Sequence, residues 1–394
     1  MHWRYFFHRD HWIVTILAFV FMGVLAYVTL NVDFLNPVKQ AFNDYSMSDM
    51  YYQIDRHGVQ PEPSELITIV DMTEYYDRGD LAEILLKINE MEPLVVGVDI
   101  IFEGVRDDAV GNDLLQEAVK ALGDKAVFAM KLKDYDEDKA CFTGVTRSFF
   151  TDSIAVNQGY ANLPDNMEDR NIRDYTVTQR LNDSTVCSFP YKVAHLMDDD
   201  IQPTDKVLHI DYSNVTFPVV KASELDEHVD LIAGRVVMLG TMYEERDMHL
   251  SPIGKMAGLE MQTYSLMTIL ERKIITDLPE WLNHVIAFIV CFLVELSLYA
   301  LGLFTTRFKK NTIVAFLEKS GMLTTVLVVS WLIAINWTGY LLFKNNGVYV
   351  DTVLIQASVA LLMAARGIYN AFIQSMAINH DHQYFRTSIF YKDE

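Results

Sequence analysis

Four long apolar runs constrain this chain more than any other feature. A helix needs roughly 20 mostly apolar residues to cross a hydrocarbon core of about 30 Å. Residues 12–32 (WIVTILAFVFMGVLAYVTLNV) carry no charge, and residues 281–304 carry only Glu295. Residues 322–343 are uncharged, with Asn336 the most polar, and residues 348–373 hold Asp351 near their start and Arg366 near their end. A soluble protein can bury one such helix; four predict a multi-pass membrane protein. The first run exceeds the roughly 7–15 residues of a signal-peptide core. Asp33, Phe34 and Leu35 follow it, with no A-x-A site, so an uncleaved anchor is expected.

Basic residues near the spans set orientation. Arg4 and Arg9 precede the first run, Arg307, Lys309, Lys310 and Lys319 separate the second from the third, and Arg366, Arg386 and Lys392 lie at or beyond the end of the fourth. Four crossings place all three groups on one side. The expected layout is a cytoplasmic N-terminus (1–11), a span (12–32), an extracytoplasmic domain (33–280), a span (281–304), a cytoplasmic linker (305–321), two spans (322–343 and 348–373) and a cytoplasmic tail (374–394). The membrane is then the bacterial cytoplasmic one.

Charge sorts the same way. Residues 33–280 hold 46 acidic and 22 basic side chains, a net of −24, while the remainder is +3. An acidic domain repels phosphate backbones and anionic lipid, so nucleic acid is excluded as a partner. A well-solvated surface explains this acidity without a cation site.

Within residues 33–280, strand-like and helical patterns alternate, which predicts an α/β domain with a mostly parallel or mixed sheet. Apolar β-branched runs at 66–70, 94–102, 126–130 and 235–239 read as buried strands. Shorter strands are expected at 175–181, 206–210 and 216–220. Helical spacing covers 80–91, 113–122, 189–197 and 258–272, and the charged stretch 133–139 reads as a loop.

Four segments together resemble a known family, the cyclase- and histidine-kinase-associated sensory extracellular (CHASE) domains of type two. They are VVGVDIIF with Asp99; GYANLPDNMEDRNIRDY with Gly159, Asn162, Asp169 and Arg173; AGRVVMLGT; and DMHLSPIGKMAGLEMQTYSLMTIL, which begins at Asp247. The resemblance covers roughly residues 33–280, and one span before with three after is typical of it. It implies a sensor. Members commonly continue into a kinase, cyclase or phosphodiesterase, whereas about 20 residues follow the last span here, too few for a domain with its own core. Output is therefore expected from a separate signalling or envelope protein, in response to a small molecule or envelope component, and a homodimer is an allowed assembly. The rival reading is a non-enzymatic envelope scaffold.

Asp71 and Asp99 end predicted strands, where α/β sheets place binding sites; they serve equally well as loop caps. Asp169 and Arg173 fix either a ligand carboxylate or a loop. With Asn162 and Asp247 they complete the ligand-binding candidates. Glu244, Glu245, Asp247 and His249 match no metal motif, and no metal or cofactor is expected. No G-x-S-x-G, H-E-x-x-H, P-loop or G-x-G-x-x-G is present, so no enzyme is expected. Cys141 and Cys187 share the outer domain and form the one candidate disulfide. Glu295 is expected as an intramembrane acid within reach of Ser330, Asn336 or Gln356, either a protonated interhelical bridge or a proton-linked or signalling switch.

Overall fold

In the computed structural model the chain divides into two compact units, Asp49–Ile275 and Met1–Ser48 with Thr276–Glu394. The structure describes residues 7–31, 46–163, 171–212, 215–273, 275–308, 310–379 and 383–391. Helix α1 (Arg9–Asn31) precedes the first of these units in the chain, and α2 (Met47–Arg56) opens it.

Unit Asp49–Ile275 is built on a mixed sheet. Its strands are β1 (Ile67–Asp71), β2 (Val95–Val98), β3 (Ala126–Asp136), β4 (Cys141–Thr146), β5 (Asn157–Tyr160), β6 (Thr178–Leu181), β7 (Ser184–Cys187), β8 (Val219–Lys221) and β9 (Val236–Gly240). They run in the order β8-β1-β9-β2-β3-β4-β6-β7, with β5 pairing on β3 as well. The half from β8 to β3, and β5, is parallel; β3–β4 and β6–β7 are antiparallel. Every residue of β1, β2 and β9 is buried, as continuous apolar runs covered on both faces must be.

One face is covered by α3 (Arg78–Glu90) and α4 (Ala109–Leu122). Leu81, Leu85, Ile88, Leu115, Val119 and Leu122 meet Val70, Val98, Phe128 and Leu239 in a single core cluster. Each fully buried leucine there contributes about 1.5–3 kcal/mol. Asp77 caps α3 through the Gly79 amide at 2.8 Å, and Asp108 caps α4 through the Gly111 amide at 3.0 Å. The other face takes α5 (Phe189–Met197) and α6 (Gly258–Leu270), which follows the hairpin β10 (Met248–Ser251) and β11 (Gly254–Ala257). Gly97 on β2 allows α5 this approach, because a Cβ there would sit 2.8–3.1 Å from Met238, Phe189 and Val193.

Several predicted boundaries shift for local reasons. The strand expected over 94–102 stops at Val98, and the chain turns so that Phe102 donates its amide to the Ser148 hydroxyl at 3.0 Å. The stretch 133–139, expected as a loop, is largely strand: β3 runs on to Asp136 and turns back into β4. Its charged side chains are mostly exposed on this antiparallel arm, so the charges that argued for a loop mark a solvated strand face. The strand expected over 175–181 is broken at Val177, and that expected over 216–220 becomes Val215–Thr216 and Val219–Lys221.

The candidate disulfide does not form: Cys141 and Cys187 are free thiols. Cys141 lies on β4 and Cys187 on β7, with β6 between them. Two strand spacings of about 4.8 Å put their Cα atoms beyond the ~7 Å a disulfide tolerates.

The second unit contains α1, α7 (Glu280–Arg307), α8 (Thr312–Lys319), α9 (Met322–Asn346), α10 (Thr352–Asn379) and α11 (Gln383–Arg386). Among the described residues, four helices are long and apolar enough to cross a membrane: Arg9–Val28, Glu280–Arg307, Met322–Asn346 and Thr352–Ala377. Ala287, Cys291, Val294 and Leu298 on α7 face Ile355, Val359, Leu362, Ala365 and Tyr369 on α10 and Val14 and Ala18 on α1. The spacing of three and four residues is that of one helix stripe. Outside that stripe, Ile16, Val20, Ile289, Val326 and Ile333 are exposed, an apolar exterior that suits lipid and not water.

Candidate functional site

Parallel strands deliver their C-terminal residues to one edge, where the loops after them converge. In unit Asp49–Ile275 that edge holds Asp71 after β1, Gly240 after β9 and Asp99 after β2, with Asp71 and Gly240 in direct register. The Asp99 and Met72 amides bond to the carbonyls of Leu239 and Gly240 at 2.7 and 2.8 Å, which fixes both turns.

The two aspartates differ. Asp71 is buried, and its Oδ1 accepts the Thr73 amide at 3.0 Å, the Thr73 hydroxyl at 2.5 Å and the Met242 amide at 3.2 Å. It ties the loops after β1 and β9 together, the capping role. Asp99 is half-buried, and its carboxyl has no hydrogen-bond partner among the described residues. Burial first, and the charge of Asp247 second, push its pKa up to about 7.

Asp247 lies beside the first residue of α6: a Cβ on Gly258 would meet its carboxylate oxygens at 2.8 and 3.0 Å. The helix N-terminus stabilises that negative charge. His249 Nε2 stands 3.6 Å from Asp247 Oδ1. Among the described residues, no three of His, Cys, Asp and Glu are grouped to hold a metal ion. Around this acidic edge the loops expose Tyr76, Val105, Val110 and Tyr243, each more than 60% accessible. Tyr243 donates its amide to the Thr73 hydroxyl at 3.3 Å, and Arg106 bonds to the Tyr76 carbonyl at 2.8 Å, so these loops are joined. Two open clefts, of 490 and 440 Å³, lie elsewhere, around Arg307 and around Glu62.

Among the described residues, the other candidates have their side chains committed within the fold. Asn162 bonds both the amide and the carbonyl of Leu132, at 2.7 and 2.9 Å, and so continues the β3 ladder as a neighbouring strand would. Arg173 makes a two-pronged ion pair with Asp49 at 2.8 and 2.7 Å, and Asn171 joins it at 2.9 Å. Asp169, the expected neighbour of Arg173, lies outside the described residues. Sequence reading missed Asp49 and also Arg78, which is buried on α3. Arg78 donates to Asn112 and to the carbonyls of Glu103 and Gly104 at 3.0 and 2.7 Å, and stacks 4.4 Å from the Phe149 ring. Arg78 is the first residue of α3, in the polar run 77–80 ahead of the predicted helical period, and the sequence carried no signal for it.

In the helical unit, Glu295 is wholly buried but meets none of its expected partners. Gln356 donates to Asn336 at 3.0 Å, and Ser330 bonds back to Val326 at 2.8 Å. Glu295 Oε1 instead accepts Arg366 Nη1 at 2.5 Å and lies 3.2 Å from His11 Nδ1, which joins α7 to α10 and α1. Glu295 is thus placed in an ion-pair contact with Arg366, and not in the hydrogen bonds to Ser330, Asn336 or Gln356 expected from the sequence.

A family model of the CHASE2 domain matches residues 15–298, from within α1 to within α7. No curated protein and no solved structure matches the chain. The matched span is well over half of the sequence, and the chain belongs to the CHASE2 family of sensory extracellular domains, here in a multi-pass membrane protein.

Proposed function

We propose that this protein is a membrane-anchored sensor whose outer domain, outside the bacterial cytoplasmic membrane, binds a small molecule or envelope component and passes the change to a separate cytoplasmic or membrane protein. The observation that carries the reading is the contrast at the sheet edge. The Asp71 carboxylate has its hydrogen bonds made within the fold, whereas the Asp99 carboxyl beside it has none among the described residues and stands near exposed aromatic and aliphatic residues. A polar group left unsatisfied in a partly buried position is met by water or by ligand. The reading is non-enzymatic, and the commitment of Asp71, Asn162 and Arg173 to backbone or ion-pair contacts supports it. In this reading four helices cross and both termini are cytoplasmic, which the Arg and Lys residues flanking the spans support.

A ligand shifts the domain only if it binds two conformations unequally. Thermal-shift screening of the full chain in detergent tests this, because a ligand at 100 times its Kd stabilises by about 2.7 kcal/mol. The expected result is a ligand whose shift is abolished in Asp99→Asn. A ligand that still shifts that variant moves the site elsewhere. No shift with any envelope extract, together with purification in a fixed-stoichiometry assembly, refutes sensing in favour of scaffolding. Cysteine at position 139 should label on intact spheroplasts and cysteine at 310 only after lysis; reversed labelling overturns the orientation.

A further inference from the structure

The segment 383–391 does not trail away from the helical unit. Asp10, in the first turn of α1, is wholly buried, and its carboxylate accepts the Ser388 hydroxyl at 2.7 Å, the Ile389 amide at 2.8 Å and the Tyr369 hydroxyl at 2.9 Å. Two of those three bonds come from the segment and one from α10. Arg9 beside it donates to the Thr387 hydroxyl at 3.0 Å and to the Tyr384 carbonyl, and its guanidinium lies 3.7 Å from the Tyr384 ring. Phe390 is buried edge-on against Tyr369 at 5.7 Å, and Arg366 stands 5.0 Å from its ring. Arg366 is the residue that pairs with Glu295, which in turn contacts His11 one position after Asp10. A closed ring of contacts thus runs from α1 to the segment, to α10, to α7 and back to α1.

Asp10 also lies 3.2 Å from His8 Nδ1 and 3.5 Å from Arg9 Nε, contacts made within its own end of α1. Undocking the segment withdraws two of the hydrogen-bond donors of a buried carboxylate, which carries a desolvation cost. Alpha-helical shifts of about 1–2 Å are a common means of switching such contacts. Helix α1 precedes the sensory domain in the chain and α7 follows it, so a displacement of α1 would move Asp10 relative to Tyr369 and Ser388.

We propose that segment 383–391 is a releasable latch, held to the membrane bundle by Asp10 and freed when α1 shifts against α10. This rests on the sensor reading for its trigger, but the latch itself is a property of the chain alone. Full-length protein in nanodiscs, with no ligand or partner added, is followed by trypsin cleavage after Arg386 and by hydrogen exchange at the Ile389 amide. Asp10→Ala should raise both rates at least 10-fold, and Ser388→Ala, which leaves the carboxylate in place, at least 3-fold. Glu295→Gln, which touches no atom of the segment, should raise them at least 3-fold if the ring couples the helices. Wild-type rates in both Asp10→Ala and Ser388→Ala overturn the latch. Release in those two with wild-type rates in Glu295→Gln overturns the coupling. If Asp10→Ala fails to fold, Ser388→Ala with Tyr369→Phe decides the question by the same threshold. A domain that proves to bind no ligand refutes the sensor reading and leaves these rates unchanged, so the two failures are distinguishable.

Discussion

Substituting Glu295 separates two physical pictures of the membrane bundle. A neutral acid acting as a hydrogen-bond bridge predicts that Gln behaves like wild type and that Leu costs about 0.6–2 kcal/mol. The observed environment predicts otherwise. Glu295 has no exposure, one oxygen serves both Arg366 at 2.5 Å and His11 at 3.2 Å, and Arg366 is itself only 22% exposed. Removing one partner of such a pair leaves a charge uncompensated in low dielectric, at about 3–5 kcal/mol. Glu295→Leu should therefore lose that much. Glu295→Gln keeps an acceptor for Arg366 but no charge, and should lose roughly half, about 2 kcal/mol. Removing both charges in Glu295→Leu/Arg366→Leu should recover most of the loss, because paired apolar replacements are often near neutral. The double-mutant cycle should then report a coupling at least as large as one single loss, above about 3 kcal/mol. With roughly 2–4 °C per kcal/mol for a body of this size, the Leu variant melts around 10 °C lower in detergent. Gln at wild-type stability, with no coupling in the cycle, refutes the ion pair and restores the neutral acid.

Asp99 holds its proton to about 7 in the fold, against roughly 4 in an unfolded chain. The stability linked to it is complete below pH ~4 and declines as pH rises toward 7; Asp99→Asn should flatten that decline in pH-dependent melting, and an unchanged slope refutes the burial argument. Arg78→Met should lower outer-domain stability by about 2–4 kcal/mol, since the Glu103 and Gly104 carbonyls and Asn112 lose their donor, and Arg78→Lys should lose nearly as much because one ammonium cannot span the same fork. Thiol titration of denatured, unreduced protein should find all three cysteines free, and a count of one would reinstate a bridge between Cys141 and Cys187.

The four apolar helices were legible from length and charge alone, because a hydrocarbon core demands a run of residues contiguous in sequence. The buried strands β1, β2 and β9 were legible for a similar reason: a strand covered on both faces has to be apolar throughout. Membership of the sensory family was readable as well, from short segments whose order and spacing lie along the chain. Asp71 and Asp99 were both marked as strand ends, but identical residue types in equivalent positions gave no hint that one carboxylate is tied to Met242 while the other has no partner among the described residues. That Arg173 meets Asp49, that Glu295 meets Arg366 and His11, and that β6 separates the two outer cysteines were decided by tertiary structure. Periodicity reports which face of a segment is buried. It carries no record of which distant segment covers that face, and Asp10 and Ser388, 378 positions apart, meet only because the helices between them fold back into one bundle.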